Sequence, residues 1–208
     1  PQLKKVCHAY GVSINEYLVA TFIWAAYQEN YRHITEDRPI RVAVPVNLRP
    51  YFDSITTKNF FVMVSAEFAP QKNEYTFAEI LTITKDSLRA QINKEHLEKI
   101  FSYNVSNELM VVARAVPLFL KNLAMRLVYT QSALANTTTV TNIGNIKVEK
   151  VYEPYIQTVH SFLSFSKGQS LKATITSYQD TLVYTYTSAW QDTAIQRRVF
   201  RQIAQDGI

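Results

Sequence analysis

"VAVPVNLRPYF", residues 42–52, is an alternating apolar run that ends in a polar knot. The alternation reads as a strand over residues 40–46. Pro45 has no N–H for a ladder, so the strand is expected to lie at an edge or to end there. Asn47 and Arg49 then stand at the strand mouth, with Pro50 fixing the turn behind them. An amide and a guanidinium in that place need partners, and the rest of the chain must supply them.

Outward from this stretch the periods change in blocks. Upstream, Ser13 and Glu16 have capping-box spacing at the start of a helix that runs to about residue 29. Its uncharged run, "YLVATFIWAAYQ", is 12 residues long. A membrane span needs about 20, so this is a buried helix. Downstream, residues 59–68 form a second strand, and Thr76 with Glu79 repeats the capping box before an amphipathic helix. A shorter helix is expected over 94–104. A long one is expected over about 107–131, capped by Ser106 and split by Pro117 near residue 116. From residue 136 the pattern turns to strands: "NTTTVTNIG", "IKVEKV", "YIQTVHSFLSF", "SLKATITSYQ" and "LVYTYTSAW", the last two as a hairpin. Asp192 caps a closing helix and Gly207 stops it. This order fits an α+β lobe over residues 1–208, two layers with helices packed on a mixed, mostly antiparallel sheet.

The chain has 208 residues, 47% hydrophobic and 19% charged, enough for a sizeable core. A net charge of +5 without a basic stripe argues against nucleic acid as a partner. One cysteine, Cys7, excludes an internal disulfide and suits a cytoplasmic setting. With only 4 glycines there is no phosphate-binding loop. Four histidines, His8, His33, His96 and His160, form no metal-binding pair; His33 with Glu36 and Asp37 reads as a solvated turn. His160 reads as a strand wall residue, with a channel-lining role as the alternative. The alternating tyrosines of "YTYTSAW" read as a half-buried sheet face. The residues alone describe an α+β lobe without a self-contained catalytic constellation.

Five stretches in order resemble the C-terminal lobe of the CoA-dependent acyltransferase superfamily. This superfamily includes chloramphenicol acetyltransferase, alcohol acetyltransferases and the condensation domains of peptide synthetases. "GVSINEYLVATFIWAA" is similar to the lobe's opening helix, and "PVNLRPYF" to the family's Pro-Val-Asn-Leu-Arg-Pro strand end. "KNFFVMVSAEF" resembles the Gly-Asn-Phe strand, with Lys58 in place of Gly, and "TVTNIGNIKV" the Ser-Asn-Leu-Gly strand and turn. The stretch from "LKATITSYQ" to "DGI" resembles the family's ending. Alcohol acetyltransferase-like proteins are the most similar subgroup.

The resemblance implies the C-terminal half of a two-lobed protein with a tunnel between the lobes. Acyl-CoA or a carrier-bound acyl thioester enters from one side as substrate, and a small-molecule alcohol or amine acceptor from the other. No covalently bound cofactor is implied. The catalytic His-His-x-x-x-Asp signature is absent here, so the resemblance puts the base on an N-terminal lobe that is the expected partner. The start at Pro1 fits a piece of a longer chain. Asn47, Arg49, Asn142 and His160 are the candidates for tunnel wall or lobe interface. Arg49 is expected to be buried and bonded to the 139–145 turn, where the related plant enzymes carry an Asp that Thr141–Asn142 lacks. The chain alone is expected to be inactive, with an apolar surface where the other lobe docks. Two other readings stand beside this one: a non-catalytic condensation-like binding or interaction module, and an unrelated α+β ligand-binding domain.

Overall fold

The computed structural model describes residues 1–31, 39–72, 74–109, 116–166 and 168–208. The segment with His33, Glu36 and Asp37 lies outside them. In chain order the helices are α1 (Gln2–Ala9), α2 (Ile14–Ala26), α3 (Phe77–Gln91), α4 (Lys94–Leu109), α5 (Leu118–Ala135) and α6 (Ala194–Gln205). A π-helical turn, Tyr27–Tyr31, extends α2. The strands are β1 (Ile40–Asn47), β2 (Phe61–Phe68), β3 (Thr138–Asn145), β4 (Leu171–Tyr178) and β5 (Thr181–Ser188). They make one five-stranded sheet in the order β2-β1-β3-β4-β5. The outer pairs, β1/β2 and β4/β5, are antiparallel hairpins; the inner pairs, β1/β3 and β3/β4, are parallel. The mixed, mostly antiparallel sheet and the helical layer bear out the α+β reading.

Both capping boxes close as their spacing predicts. The Glu16 amide donates to Ser13 Oγ at 3.2 Å and the Ser13 amide to Glu16 Oε2 at 2.7 Å. Thr76 and Glu79 repeat the exchange at 3.3 and 2.8 Å. α2 is buried on all sides because it is shared: α3 packs on one flank, α6 on another, and the sheet lies beneath. Tyr17, Leu18, Val19, Phe22 and Ile23 are each at most 1% exposed. Each contributes up to roughly 1.5–3 kcal/mol of transfer free energy. The inner sheet face answers with Val42, Val44, Val64, Phe68, Val140, Ala173 and Ile175. Tyr184 and Tyr186 of β5 belong to this inner face, against Phe22 and Phe200. Hence the alternating tyrosines face the core, Tyr184 buried and Tyr186 half-buried, in keeping with the half-buried sheet face expected.

Pro45 is not on an edge strand, since β1 lies between β2 and β3. The hydrogen bonds explain why it is tolerated. Arg41 faces β3 with its backbone: Thr137 N donates to Arg41 O at 2.8 Å, and Arg41 N donates to Thr137 Oγ1 at 3.1 Å. Four residues on, Pro45 also faces β3, and there the ladder has stopped; β1 and β3 register only at Val42–Thr138 and Ala43–Thr139. The missing N–H falls where pairing ends.

Three other expectations are corrected. Ser106 caps nothing: α4 runs through it to Leu109, and Pro117 itself stands at the N-terminus of α5, so the split at Pro117 holds while the helix start does not. "IKVEKV" is not a strand. The last bond of β3 to β4 is Ile146 N to Ser177 O at 2.8 Å, and β4 turns back one residue later, so no strand remains for it to pair with. "YIQTVHSFLSF" is not a strand either. It crosses the outer face of the sheet, where side-chain hydroxyls and not a backbone ladder receive it: Thr176 Oγ1 donates to Val159 O and Thr185 Oγ1 to Ser161 O, both at 2.6 Å. At α6 the Asp192 carboxylate accepts from Ala194 N at 2.9 Å, one position earlier than a standard cap, and Gly207 takes a φ of 82° at the end.

Candidate functional site

The inner face of the sheet is filled by helices, so any working surface lies on the outer face and along the strand mouths. The polar knot is a local brace. Asn47 Oδ1 accepts from Arg49 N at 3.1 Å and from Arg49 Nη1 at 3.4 Å. Arg49 Nη2 donates to the carbonyls of Thr56, at 3.1 Å, and Lys58, at 2.9 Å. Behind the knot, Leu48 is fully buried, and the Tyr51 and Phe52 amides donate to its carbonyl. Phe52 and Phe60 then pack on Phe101 of α4.

Arg49 is therefore exposed and bonded to its own loop, not buried against the 139–145 turn. The tight turn at Leu48 folds residues 53–58 back over the guanidinium, so two carbonyls come within reach. The 139–145 turn offers no carboxylate to compete. Asn142 is half-buried in β3, opposite Ile175, and accepts from Gly144 N at 2.9 Å across a bulge where the register shifts. Gly144, at φ 85°, is needed for that bulge. His160 is exposed on the strap over the outer face, not in a strand wall. Its Nε2 lies 3.3 Å from Thr158 Oγ1 and its ring stacks 6.5 Å from Phe162. Apart from Asn47 with Arg49, none of the four candidates hydrogen-bonds another.

These residues offer hydrogen-bonding and stacking groups. Among the described residues no group of three His, Cys, Asp or Glu could hold a metal, and no histidine hydrogen-bonds to a carboxylate. Cys7 is buried, and burial pushes its thiol up to about 11, away from thiolate chemistry. No motif or spacing singles out Thr176 and Thr185, the threonines that hold the strap; their one signal in the sequence is the alternation of hydroxyls in "TITSYQ" and "YTYTSA".

The outer face of the sheet, the strap and α5 also carry exposed apolar side chains. On the outer face of β2, Phe61 and Met63 are 49% and 43% exposed; on the strap, Phe162 and Phe165 are exposed. No described side chain of α5 is buried, and Phe119, Leu123, Leu127 and Leu134 stand open. A compact monomer of 23.9 kDa exposes roughly 9,900 Å², whereas this chain exposes 13688 Å². No helix among the described residues is long and apolar enough to cross a membrane.

No family model and no curated protein matches the chain in sequence. Solved structures do match it in fold. Polyketide synthase associated protein 5 from Mycobacterium tuberculosis superposes with a TM-score of 0.59 at 12% identity, covering 97% of this chain and 47% of that one. The nonribosomal peptide synthetase FmoA3 gives a TM-score of 0.60 at 19% identity, over 99% of this chain and 20% of that one. The first condensation domain of the CDA synthetase gives 0.52 at 15% identity, over 99% and 42%. The chain spans less than half the length of each. It thus carries, along nearly its whole length, the fold of one part of the condensation domains, the CoA-dependent acyltransferase fold.

Proposed function

We propose that this chain is the C-terminal lobe of a two-lobed acyltransferase, which moves an acyl group from a CoA or carrier-bound thioester to an alcohol or amine. The observation that carries this reading is the fold likeness: it takes in 97–99% of the chain and under half of the matched chains. The open apolar side chains Phe61 and Met63 of β2, Phe162 and Phe165 of the strap, and Phe119, Leu123, Leu127 and Leu134 of α5 support a neighbour that covers them. In this reading the general base sits on the other lobe, and this chain supplies tunnel wall and lobe interface. Asn47 and Arg49 at the mouth of β1, Asn142 within β3 and His160 on the strap are the proposed tunnel-wall or lobe-interface residues.

The test is a transfer assay. Incubated with acetyl-CoA and a panel of alcohols and amines, the isolated chain gives no transfer above background. Joined to the remaining part of its protein it turns over, and His160→Ala leaves some of that turnover in place. Turnover by the isolated chain that His160→Ala abolishes would overturn the assignment and make His160 the base. Failure of the joined protein to transfer any acyl group would favour the non-catalytic interaction module.

A further inference from the structure

The two edges of the sheet are finished differently. Along β2, helix α3 closes the edge with side chains. Gln91 Nε2 donates to Ser65 O at 2.8 Å, Gln91 Oε1 accepts from Ser65 N at 3.2 Å, and Ser87 Oγ accepts from Glu67 N at 3.2 Å. Along β5 nothing corresponds. Thr185 pairs with Thr174, and Ala189 N donates to Ser170 O at 2.8 Å, so the odd-numbered residues of this strand turn their backbone towards β4. The N–H and C=O groups of Leu182, Tyr184, Tyr186 and Ser188 point out of the sheet and make no hydrogen bond to a described residue. Natural sheets guard such an edge with a charge, a proline or a bulge. "TLVYTYTS" has no charge and no proline, and its register with β4 is unbroken over all eight positions.

We propose that β5 is a self-pairing edge, on which a second copy of this chain adds its own β5 antiparallel and the two five-stranded sheets become continuous. The strand is self-complementary about Thr185. Read in opposite directions, Leu182 meets Ser188 of the second copy, Tyr184 meets Tyr186, Val183 meets Thr187, and Thr185 meets its twin. The first two are the outward-facing, hydrogen-bonded pairs; the last two lie between them on the outer face. Aromatic, β-branched and Thr–Thr pairs of this kind stabilise antiparallel neighbours. A chain of net charge +5 meets itself here along eight uncharged residues, so no like charges face each other. A foreign strand would need no such symmetry. Phe200, 47% exposed, packs edge-on to Tyr184 and Tyr186 at this border and gains cover from the second copy.

The pairing is independent of the acyl-transfer reading, and its test involves no catalysis. Sedimentation equilibrium of the intact protein from about 1 to 100 μM shows a monomer–dimer equilibrium. Thr185→Cys forms a covalent dimer on mild oxidation, because twin residues in a non-hydrogen-bonded antiparallel pair bring their Cβ atoms to about 4.5–5.5 Å. Val183→Cys alone does not, because it faces Thr187; the double variant Val183→Cys/Thr187→Cys does, and carries the test if Thr185→Cys folds poorly. Cys7 is buried and stays silent. A protein that is monomeric throughout and forms neither cross-link overturns the proposal. So does Val183→Cys cross-linking as readily as Thr185→Cys, since that would be collision and not register.

Discussion

Replacing Glu16 by Gln tests how the capping box of α2 doubles as a tie to α3. The Glu16 carboxylate is 7% exposed and holds three donors: Arg89 Nε at 2.8 Å, Arg89 Nη2 at 3.1 Å and Ser13 N at 2.7 Å. Arg89 also donates to Gly11 O at 3.0 Å, so the α1–α2 turn is tied in as well. Gln keeps the shape and the bond from Ser13 but loses the charge. Hydrogen bonds to a charged group contribute about 1.5–3 kcal/mol, and Arg89, being half exposed, rehydrates when released. We expect Glu16→Gln to cost about 1–2 kcal/mol, and Glu16→Ala, which also loses the reciprocal cap, about 2–3 kcal/mol. With a urea slope of about 2 kcal/mol/M, the midpoints fall by about 0.5–1 M and 1–1.5 M.

The pH dependence fixes the sign. Burial alone would raise the Glu16 carboxyl; the Arg89 and Ser13 hydrogen bonds overcome it and hold the group below its ordinary 4.5. A folded value below the unfolded one stabilises the fold fully above the unfolded value, and that contribution disappears as pH falls through the folded value. The gap between wild type and Glu16→Gln should thus be widest above about pH 5 and close in acid. A double-mutant cycle with Arg89→Met decides the matter: coupling of about 1–2 kcal/mol is expected. Coupling near zero, or a gap that persists unchanged at low pH, refutes the reasoning.

Tyr17→Phe removes the bond from Tyr17 Oη to Asp206 Oδ2 at 2.5 Å, which ties the buried helix to the end of α6. It should cost about 1–2 kcal/mol, seen as a lower thermal midpoint by calorimetry. Arg49→Ala frees two carbonyls to water instead of burying them, so stability should fall by under about 1 kcal/mol while amide exchange quickens across residues 53–60; a larger loss would mean that the loop is a keystone of the core. Cys7 should resist a thiol reagent at pH 8 in the native protein and react at once in urea, and rapid native labelling would show that α1 does not stay docked.

Much of this architecture was legible because local chemistry and tertiary context agree. Ser13–Glu16 and Thr76–Glu79 start helices wherever they occur, and the unbroken apolar run after Glu16 fits only a helix enclosed on every side. The failures share one cause. Alternation in "IKVEKV" and "YIQTVHSFLSF" reports a taste for extended backbone, but a strand also needs a neighbour with free backbone groups, and that neighbour is chosen by the fold. Arg49 failed for a related reason. Its reach is long enough for several acceptors, and the turn at Leu48 decided among them by bringing its own loop nearest. Pro45 is half legible: a missing donor implies the end of a ladder, but the sequence does not say that the ladder is the one to β3.

That short ladder has a consequence for how the chain assembles. Each outer hairpin joins strands near each other in sequence, β4 and β5 through a two-residue turn and β1 and β2 through a 13-residue loop, and so can form before the seam. The join between β1 and β3 must bring together Val42 and Thr138, nearly half the chain apart, and gains two registered pairs for that closure. The sheet is therefore two stiff panels and a thin seam, with α2 as the plank beneath both. The seam should form last and part first, and amides at Ala43 and Thr139 should exchange ahead of those in either hairpin.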